Sequence, residues 1–135
     1  MVSREDLESY LIRMDLDYDE VAEGMFVCRP DDESATMVVH HSPPVVLVRL
    51  KVMDLPDDAT GSNGNGGLYR QLLEFNATDI VHGAYGIEDG ELILSDTLEL
   101  GTLDFPELQA SLESLQLAAT GHLETIRRLA VAEEA

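Results

Sequence analysis

Apolar residues near the start of the chain recur at intervals of three and four, which predicts an amphipathic helix from about Ser3 to Met14. The residues that share its apolar face are Leu7, Tyr10, Leu11 and Met14. Ser3 and Asp6 have the spacing of a capping box, in which each side chain bonds the backbone N–H of the other residue. The apolar face is narrow, so we expect this helix to cover a sheet.

Two further helical patterns follow in the middle and at the end of the chain. The apolar residues of the middle pattern are Leu68, Tyr69, Leu72, Leu73 and Phe75. We expect this helix to end at Asn76, because the Asn-Ala-Thr-Asp run favours turns. The last pattern predicts a helix from Asp104 to about Ala132, which is ~40 Å at 1.5 Å per residue. Its apolar face is formed by Leu108, Leu112, Leu115, Ala119, His122, Ile126 and Leu129.

Strand-like runs lie on both sides of the middle helix. Before it, the runs are Met25–Arg29, Thr36–His41 and Val45–Met53, whereas the acidic segment from Asp15 to Glu23 has no regular pattern. The third run has apolar residues at every even position, which predicts one buried and one partly wet face, as in an antiparallel sheet.

After the middle helix, the sequence predicts a β-hairpin. The turn Glu88-Asp89-Gly90 separates a strand at Val81–Ile87 from a strand at Glu91–Leu94, with Gly90 free to take a positive φ. We expect Thr97–Leu100 to continue the second strand across a bulge at Ser95-Asp96. The predicted fold is therefore α+β: an antiparallel sheet of five to six strands, with helices at the N-terminus, in the middle and at the C-terminus.

A glycine-rich segment separates the third strand from the middle helix. We expect a flexible loop at residues 54–67, within one domain that spans residues 1–135. The loop has no G-x-x-x-x-G-K-[ST] pattern and no basic residue, so it does not predict phosphate binding.

The formal net charge of −19, from 27 Asp and Glu against 8 Lys and Arg, narrows the possible partners. It argues against binding to nucleic acid or to an anionic membrane surface, since both need clustered basic residues. This charge is consistent with a protein that stays soluble at high salt, with a protein that carries an aggregation-prone partner, or simply with an acidic surface that favours solubility. The chain shows no signal peptide or membrane-spanning run, and its one cysteine, Cys28, cannot form an internal disulfide, so we expect a cytoplasmic protein. Cys28 lies in an apolar run, which predicts a buried, inert thiol.

The sequence contains little candidate chemistry. His40 and His41 are adjacent on a predicted strand, so their side chains point to opposite faces. The motif that begins at Asp15 has the alternating aspartates of a calcium loop, but Glu20 stands where that loop needs glycine. No set of nucleophile, base and anion hole can be assembled. We therefore predict no enzymatic activity, no cofactor and no metal site.

Two segments resemble a known family. The first is Leu72-Leu73-Glu74-Phe75-Asn76, and the second runs from Gly83 through Ala84-Tyr85-Gly86 and the acidic-Gly turn to Leu94. A helix that ends in Asn, a Gly-aromatic strand, an acidic-Gly turn and an apolar strand recur together in the type III secretion chaperone-like superfamily. The chain resembles in particular the YbjN-like branch of that superfamily.

The resemblance implies a small, acidic, cytosolic and non-enzymatic homodimer that holds an extended segment of a protein partner on apolar patches. The dimer contact it implies is Leu68, Tyr69, Leu72, Leu73 and Phe75. The partner patch it implies is Leu7, Tyr10, Leu11 and Met14, with a neighbouring strand. Two alternatives remain open: a YbjN-like regulatory adaptor that binds a folded protein, and a small enzyme or ligand-binding protein.

Overall fold

The computed structural model describes residues 1–30, 35–55 and 66–134. In these ranges the elements are α1 Arg4–Arg13, β1 Asp17–Ala22, β2 Met25–Arg29, β3 Met37–Ser42, β4 Val45–Asp54, α2 Gly66–Thr78, β5 Ala84–Glu88, β6 Glu91–Glu99 and α3 Phe105–Glu134. The strands form one antiparallel sheet in the order β1-β2-β3-β4-β6-β5. The predicted α+β class and the positions of the three helices are confirmed.

The core lies between the three helices and alternate residues of the strands. Along β4, Val46, Val48 and Leu50 are fully buried, while Leu47 is half-buried and Arg49 is exposed. This alternation is the period of two that the sequence predicted. The helix residues in the same buried cluster are Leu7, Leu11, Leu68, Leu72, Leu108, Leu112, Leu115, Ala119, Ile126 and Ala130.

The acidic segment that the sequence left without structure forms strand β1. β1 pairs with β2 along its length, and Tyr18 packs edge-to-face on Phe26 with the ring centroids 5.8 Å apart. The Tyr18 hydroxyl also donates to Glu8 on α1, at 2.8 Å. β1 is an edge strand whose residues are mostly exposed, so apolar alternation could not reveal it.

The middle helix is longer than predicted, because Asn76 lies inside it. The Tyr85 N–H donates to Asn76 Oδ1 at 2.7 Å, and Asn76 Nδ2 donates to the Tyr85 carbonyl at 3.3 Å. Because the Asn76 side chain bonds Tyr85, it does not compete for the backbone groups of its own helix, and Asn76 does not terminate the helix. Residues 56–65 of the predicted flexible loop lie outside the described residues, and that expectation stays a prediction.

The hairpin differs from the prediction at two places. β5 begins at Ala84, whereas the prediction began at Val81, because Gly83 takes a φ of +81° and packs too closely for a side chain. A Cβ at Gly83 would lie 2.3 Å from the Ser95 carbonyl oxygen. β6 runs unbroken through Ser95, so the predicted bulge there is wrong; the register shift lies in β4, between Lys51 and Met53.

The predicted turn and the predicted capping box are present, and α3 is capped as well. Gly90 has a φ of +77° in the β5–β6 turn. Ser3 and Asp6 form both bonds of the capping box, each at 3.1 Å. Asp104 Oδ1 accepts from the Glu107 N–H at 2.8 Å and so caps α3.

Candidate functional site

A groove follows one side of α3 where that helix crosses the sheet. It consists of two hollows, of about 170 Å³ and about 220 Å³. The first, called here the α1-side hollow, is lined chiefly by Met14, Leu16, Met37, Gln109, Leu112 and Gln116. The second, the β4-side hollow, is lined chiefly by Leu50, Lys51, Gln116, Thr120, Leu123 and Arg127. The two share Gln116 and follow α3 in order, and together we call them the α3 groove.

Gln116 holds an unusual polar group at the point where the two hollows meet. Its Nε2 is buried and has no hydrogen-bond partner, the only side-chain nitrogen or oxygen of that kind in the part of the chain that the structure describes. A buried donor without a partner costs about 1–3 kcal/mol of stability. Native proteins rarely keep such a group unless it serves a purpose or a partner is absent.

Charge divides the groove into two parts. Glu113 lines the α1-side hollow. No carboxylate lines the β4-side hollow among the described residues, although Lys51 and Arg127 both do. Lys51 is neutralised, because its Nζ lies 2.9 Å from Asp54 Oδ1 and 3.0 Å from Glu91 Oε2. Arg127 is exposed and makes no ion pair with any side chain that the structure describes.

The predicted partner patch on α1 is placed mostly inside the protein. Leu7 and Leu11 have no exposed surface and belong to the core. Tyr10 is half-buried against Phe105, with the ring centroids 5.9 Å apart. Met14 is the member of the predicted patch that reaches the α3 groove. A partner could therefore contact Met14 and part of Tyr10 without any rearrangement of α1.

The predicted dimer residues on α2 also include both core residues and residues with exposed surface. Leu68 and Leu72 are core residues, Tyr69 and Phe75 are half-buried, and Leu73 is 67% exposed. Beside Leu73 lies an apolar hollow of about 250 Å³ between α2 and β5, called here the α2 hollow. Ile87, which is 54% exposed, forms its other wall. In the single chain, this surface therefore exposes two large apolar side chains to solvent.

A Tyr–His–Asp cluster joins α2, β5 and α3. The His122 ring stacks on Phe75 with the centroids 3.6 Å apart, and its Nδ1 lies 2.8 Å from the Tyr85 hydroxyl. Its Nε2 lies 3.2 Å from Asp79 Oδ2. Burial, and then the charge of Asp79, raise the pKa of Tyr85 above its ordinary value. Both nitrogens of His122 are occupied by neighbours, so the cluster fixes the helices together and leaves no nitrogen for a ligand.

The structure also bears on the cysteine, on metal binding and on membrane-spanning segments. Cys28 is fully buried, as predicted, and burial raises the pKa of its thiol to about 12, which disfavours the reactive thiolate form. Among the described residues, no three His, Cys, Asp or Glu side chains converge as metal ligands would. None of the helices in the described ranges combines the length and apolar composition that a bilayer-spanning segment requires.

Family membership follows from comparison with known proteins. The CesT_Tir_1 family model matches residues 2–132, which is nearly the whole chain. The chain belongs to the CesT_Tir_1 family. No curated protein matches this CesT_Tir_1 chain in sequence.

Solved structures share the fold of this CesT_Tir_1 chain. A chain of the heterodimeric ExoU–SpcU complex from the type III secretion system of Pseudomonas aeruginosa superposes with a TM-score of 0.68 at 16% identity, over 87% of this chain and 95% of that chain. A chain of the Yersinia pestis complex between the type III secretion chaperone SycH and a stable fragment of YscM2 gives 0.59 at 16% identity, over 85% and 94%. YbjN from E. coli gives 0.64 at 12% identity, over 93% and 92%. The predicted resemblance is confirmed, and at these identities the likeness shows the fold.

The residues that distinguish the α3 groove were not predicted. Gln116 lies four residues after Leu112 and three before Ala119, so it is a polar residue on the apolar face of α3. The sequence did predict that helix and its apolar face. A polar residue on an otherwise apolar helix face is the sequence signal that could have pointed to the groove. Spacing alone cannot show that the amide lacks a partner, because the partner would come from another element.

Proposed function

We propose that this protein is a non-enzymatic chaperone that holds an extended segment of a protein partner in the α3 groove. The observation that carries the proposal is the pair of hollows joined at Gln116, which has a buried donor without a partner. Family membership supports the proposal, as do structural neighbours that are themselves complexes, such as SycH with a fragment of YscM2.

The dimensions of the groove suit an extended chain. From Gln109 to Arg127 the helix rises about 27 Å at 1.5 Å per residue. About eight residues of extended chain cover that length at 3.3 Å each. The groove is lined by apolar residues such as Met37 and Leu123, interrupted by single polar groups. Such a surface suits a segment that alternates apolar and polar residues.

The high negative charge supports the same role. A protein that exposes apolar surface for a partner risks self-association, and a net charge of −19 opposes it in solution. A buried, free Cys28 fits action in the reducing cytoplasm. The arrangement around His122 offers no nucleophile beside a free base, which is why a non-enzymatic role is proposed.

We also propose that two copies associate through α2. Leu73 and Ile87 flank the α2 hollow and are the exposed apolar residues that a second α2 would cover. Leu68 and Leu72 then act indirectly, because they fix α2 against the core. The α2 surface and the α3 groove use different residues, so a dimer leaves the grooves free for partners.

Site-specific photo-crosslinking tests the partner-binding function. The crosslinking amino acid p-benzoylphenylalanine replaces Leu123, which lines the groove, in the full chain. The variant is expressed in the cells that naturally make this protein. The control position is Ile12, which is 61% exposed on α1 and does not line the groove. We expect adducts from position 123 alone, mapping to one short segment of the partner. The same adducts from both positions would contradict binding in the groove.

A second candidate function is the regulatory adaptor that binds a folded protein. It is favoured by the match to YbjN, which covers 93% of this chain. Its distinguishing result in the same experiment is a set of adducts spread over several separated segments, as on the surface of a folded partner.

A further inference from the structure

The β4-side hollow differs in charge from the rest of this acidic protein. Its described lining contains Lys51 and Arg127 and no carboxylate, in a chain with 27 Asp and Glu. Lys51 is held by Asp54 and Glu91, so Arg127 is the cation that remains available. The neighbouring α1-side hollow contains Glu113. A negatively charged group is therefore favoured at one end of the groove and disfavoured at the other.

The donors of the hollow form a line along α3. Gln116, Thr120 and Arg127 are separated by four and seven residues, which places them on one helix face over three turns. The first is the buried amide without a partner, and the last is the exposed guanidinium. A carboxylate accepts strong bonds from a guanidinium, and a side-chain amide can donate to a main-chain carbonyl of an extended segment.

The floor of the hollow is apolar. Leu50 and Ala119 are buried beneath it, and Leu123 stands half-buried between Thr120 and Arg127. A bound group must therefore bring an acceptor for the donors together with apolar atoms for the floor. A run of acidic residues does not fit, since the surrounding charge of −19 repels it. A single carboxylate beside an apolar residue satisfies both surfaces.

We propose that the β4-side hollow recognises one Asp or Glu, next to an apolar residue, in the extended segment that the groove holds. Arg127 is the donor to its carboxylate, and Gln116, about 16 Å away along the helix, donates to a main-chain carbonyl of the same segment. This inference rests on the proposed function, and it adds the chemical class of the residue that fixes the segment's register. Bonds to a charged partner contribute about tenfold or more in affinity, so loss of Arg127 should weaken binding by at least that factor.

Selection from a phage-displayed library of random 12-residue peptides tests the proposal on the full chain. The variants are Arg127→Glu and, as the matched control, Arg128→Glu, which changes an exposed neighbour that does not line the hollow. We expect the wild-type protein and Arg128→Glu to enrich peptides with one Asp or Glu beside an apolar residue. Arg127→Glu should bind synthetic copies of those peptides at least tenfold more weakly and should itself enrich Lys or Arg.

The other outcomes separate the inference from the proposed function. Peptides enriched without an acidic residue, or acidic peptides that bind Arg127→Glu as tightly as wild type, would contradict the acidic preference and leave groove binding standing. Failure to enrich any peptide would contradict the groove as a binding site, and with it the proposed function. Circular dichroism melts of both variants establish that they are folded.

Discussion

The side-chain amide of Asn76 bonds both main-chain groups of Tyr85, much as a neighbouring strand would. The Tyr85 N–H donates to Oδ1 at 2.7 Å and the Tyr85 carbonyl accepts from Nδ2 at 3.3 Å. β5 is an edge strand, so these bonds fasten its open side to α2. The exposed apolar residues Leu73 and Ile87 lie on the two elements that these bonds connect.

Replacing Asn76 should therefore destabilise the protein. Asn76→Leu leaves two main-chain groups of Tyr85 without partners, and we expect a loss of about 1–3 kcal/mol in the free energy of unfolding. Asn76→Asp keeps the acceptor for the Tyr85 N–H and should lose less. Urea unfolding at constant m-value measures both variants. An unchanged urea midpoint for Asn76→Leu would contradict the role given to this amide.

The α2 contact can be tested by placing a charge on it. Leu73→Asp should leave the fold intact, since Leu73 is 67% exposed, and should separate a dimer into single chains of 14.8 kDa. Light scattering during size-exclusion chromatography gives the mass directly. The matched control is Ile12→Asp, at a residue 61% exposed on α1, which should keep twice the chain mass. A wild-type protein with the mass of one chain would contradict the proposed dimer.

Gln116 should show opposite effects on stability and on binding. Gln116→Met removes the unpartnered donor at similar volume, so we expect the free chain to gain about 1–3 kcal/mol in unfolding free energy. The same variant should bind the selected acidic peptides more weakly. Gln109→Met, which also changes a glutamine of the groove, is the control and should gain less stability. A Gln116→Met variant that is less stable than wild type would show that the amide has a structural role.

Acid should weaken the connection between α1 and the β1–β2 hairpin. Arg4 Nε donates to Glu20 Oε2 at 2.7 Å and the Gly24 N–H donates to the same oxygen at 2.8 Å. These bonds, led by that from Arg4, lower the pKa of Glu20 to about 2. Because the folded-state pKa is depressed, the stabilisation is present above about pH 4.5 and is lost as the pH falls towards 2.

Glu20→Gln tests this pH dependence. We expect the variant to be less stable than wild type at neutral pH and to lose less stability between pH 4.5 and 2. Urea midpoints measured across that range give the comparison. Glu23→Gln, at an exposed residue of the same hairpin, should follow the wild-type profile. Parallel profiles for wild type and Glu20→Gln would contradict the assignment.

Local patterns were sufficient to predict the helices, because their apolar faces pack on one core at the expected spacing. They were insufficient for β1, where Tyr18 supplies the main apolar contact and the remaining residues are exposed. They were also insufficient at Asn76, whose partner Tyr85 lies nine residues away on another element. In both places a contact between elements outweighs the local preference.

The candidate site was harder to predict than the fold. Helical spacing groups Leu7 and Leu11 with Met14, but it cannot tell which residues face the core and which face a partner. Likewise, among the described residues Lys51 is neutralised and Arg127 is not, because Asp54 of β4 and Glu91 of β6 lie beside Lys51. Neither fact can be obtained from one segment of sequence.

The most direct test of the groove uses methionine methyl signals. The full chain is labelled with ¹³C at the methionine methyl groups and titrated with a synthetic peptide of the partner segment found by crosslinking at position 123. Met14 and Met37 line the α3 groove, whereas Met1 and Met25 do not. We predict that the signals of Met14 and Met37 shift on binding while those of Met1 and Met25 stay in place. Shifts at Met25, with Met14 and Met37 unchanged, would place the partner elsewhere and contradict the account.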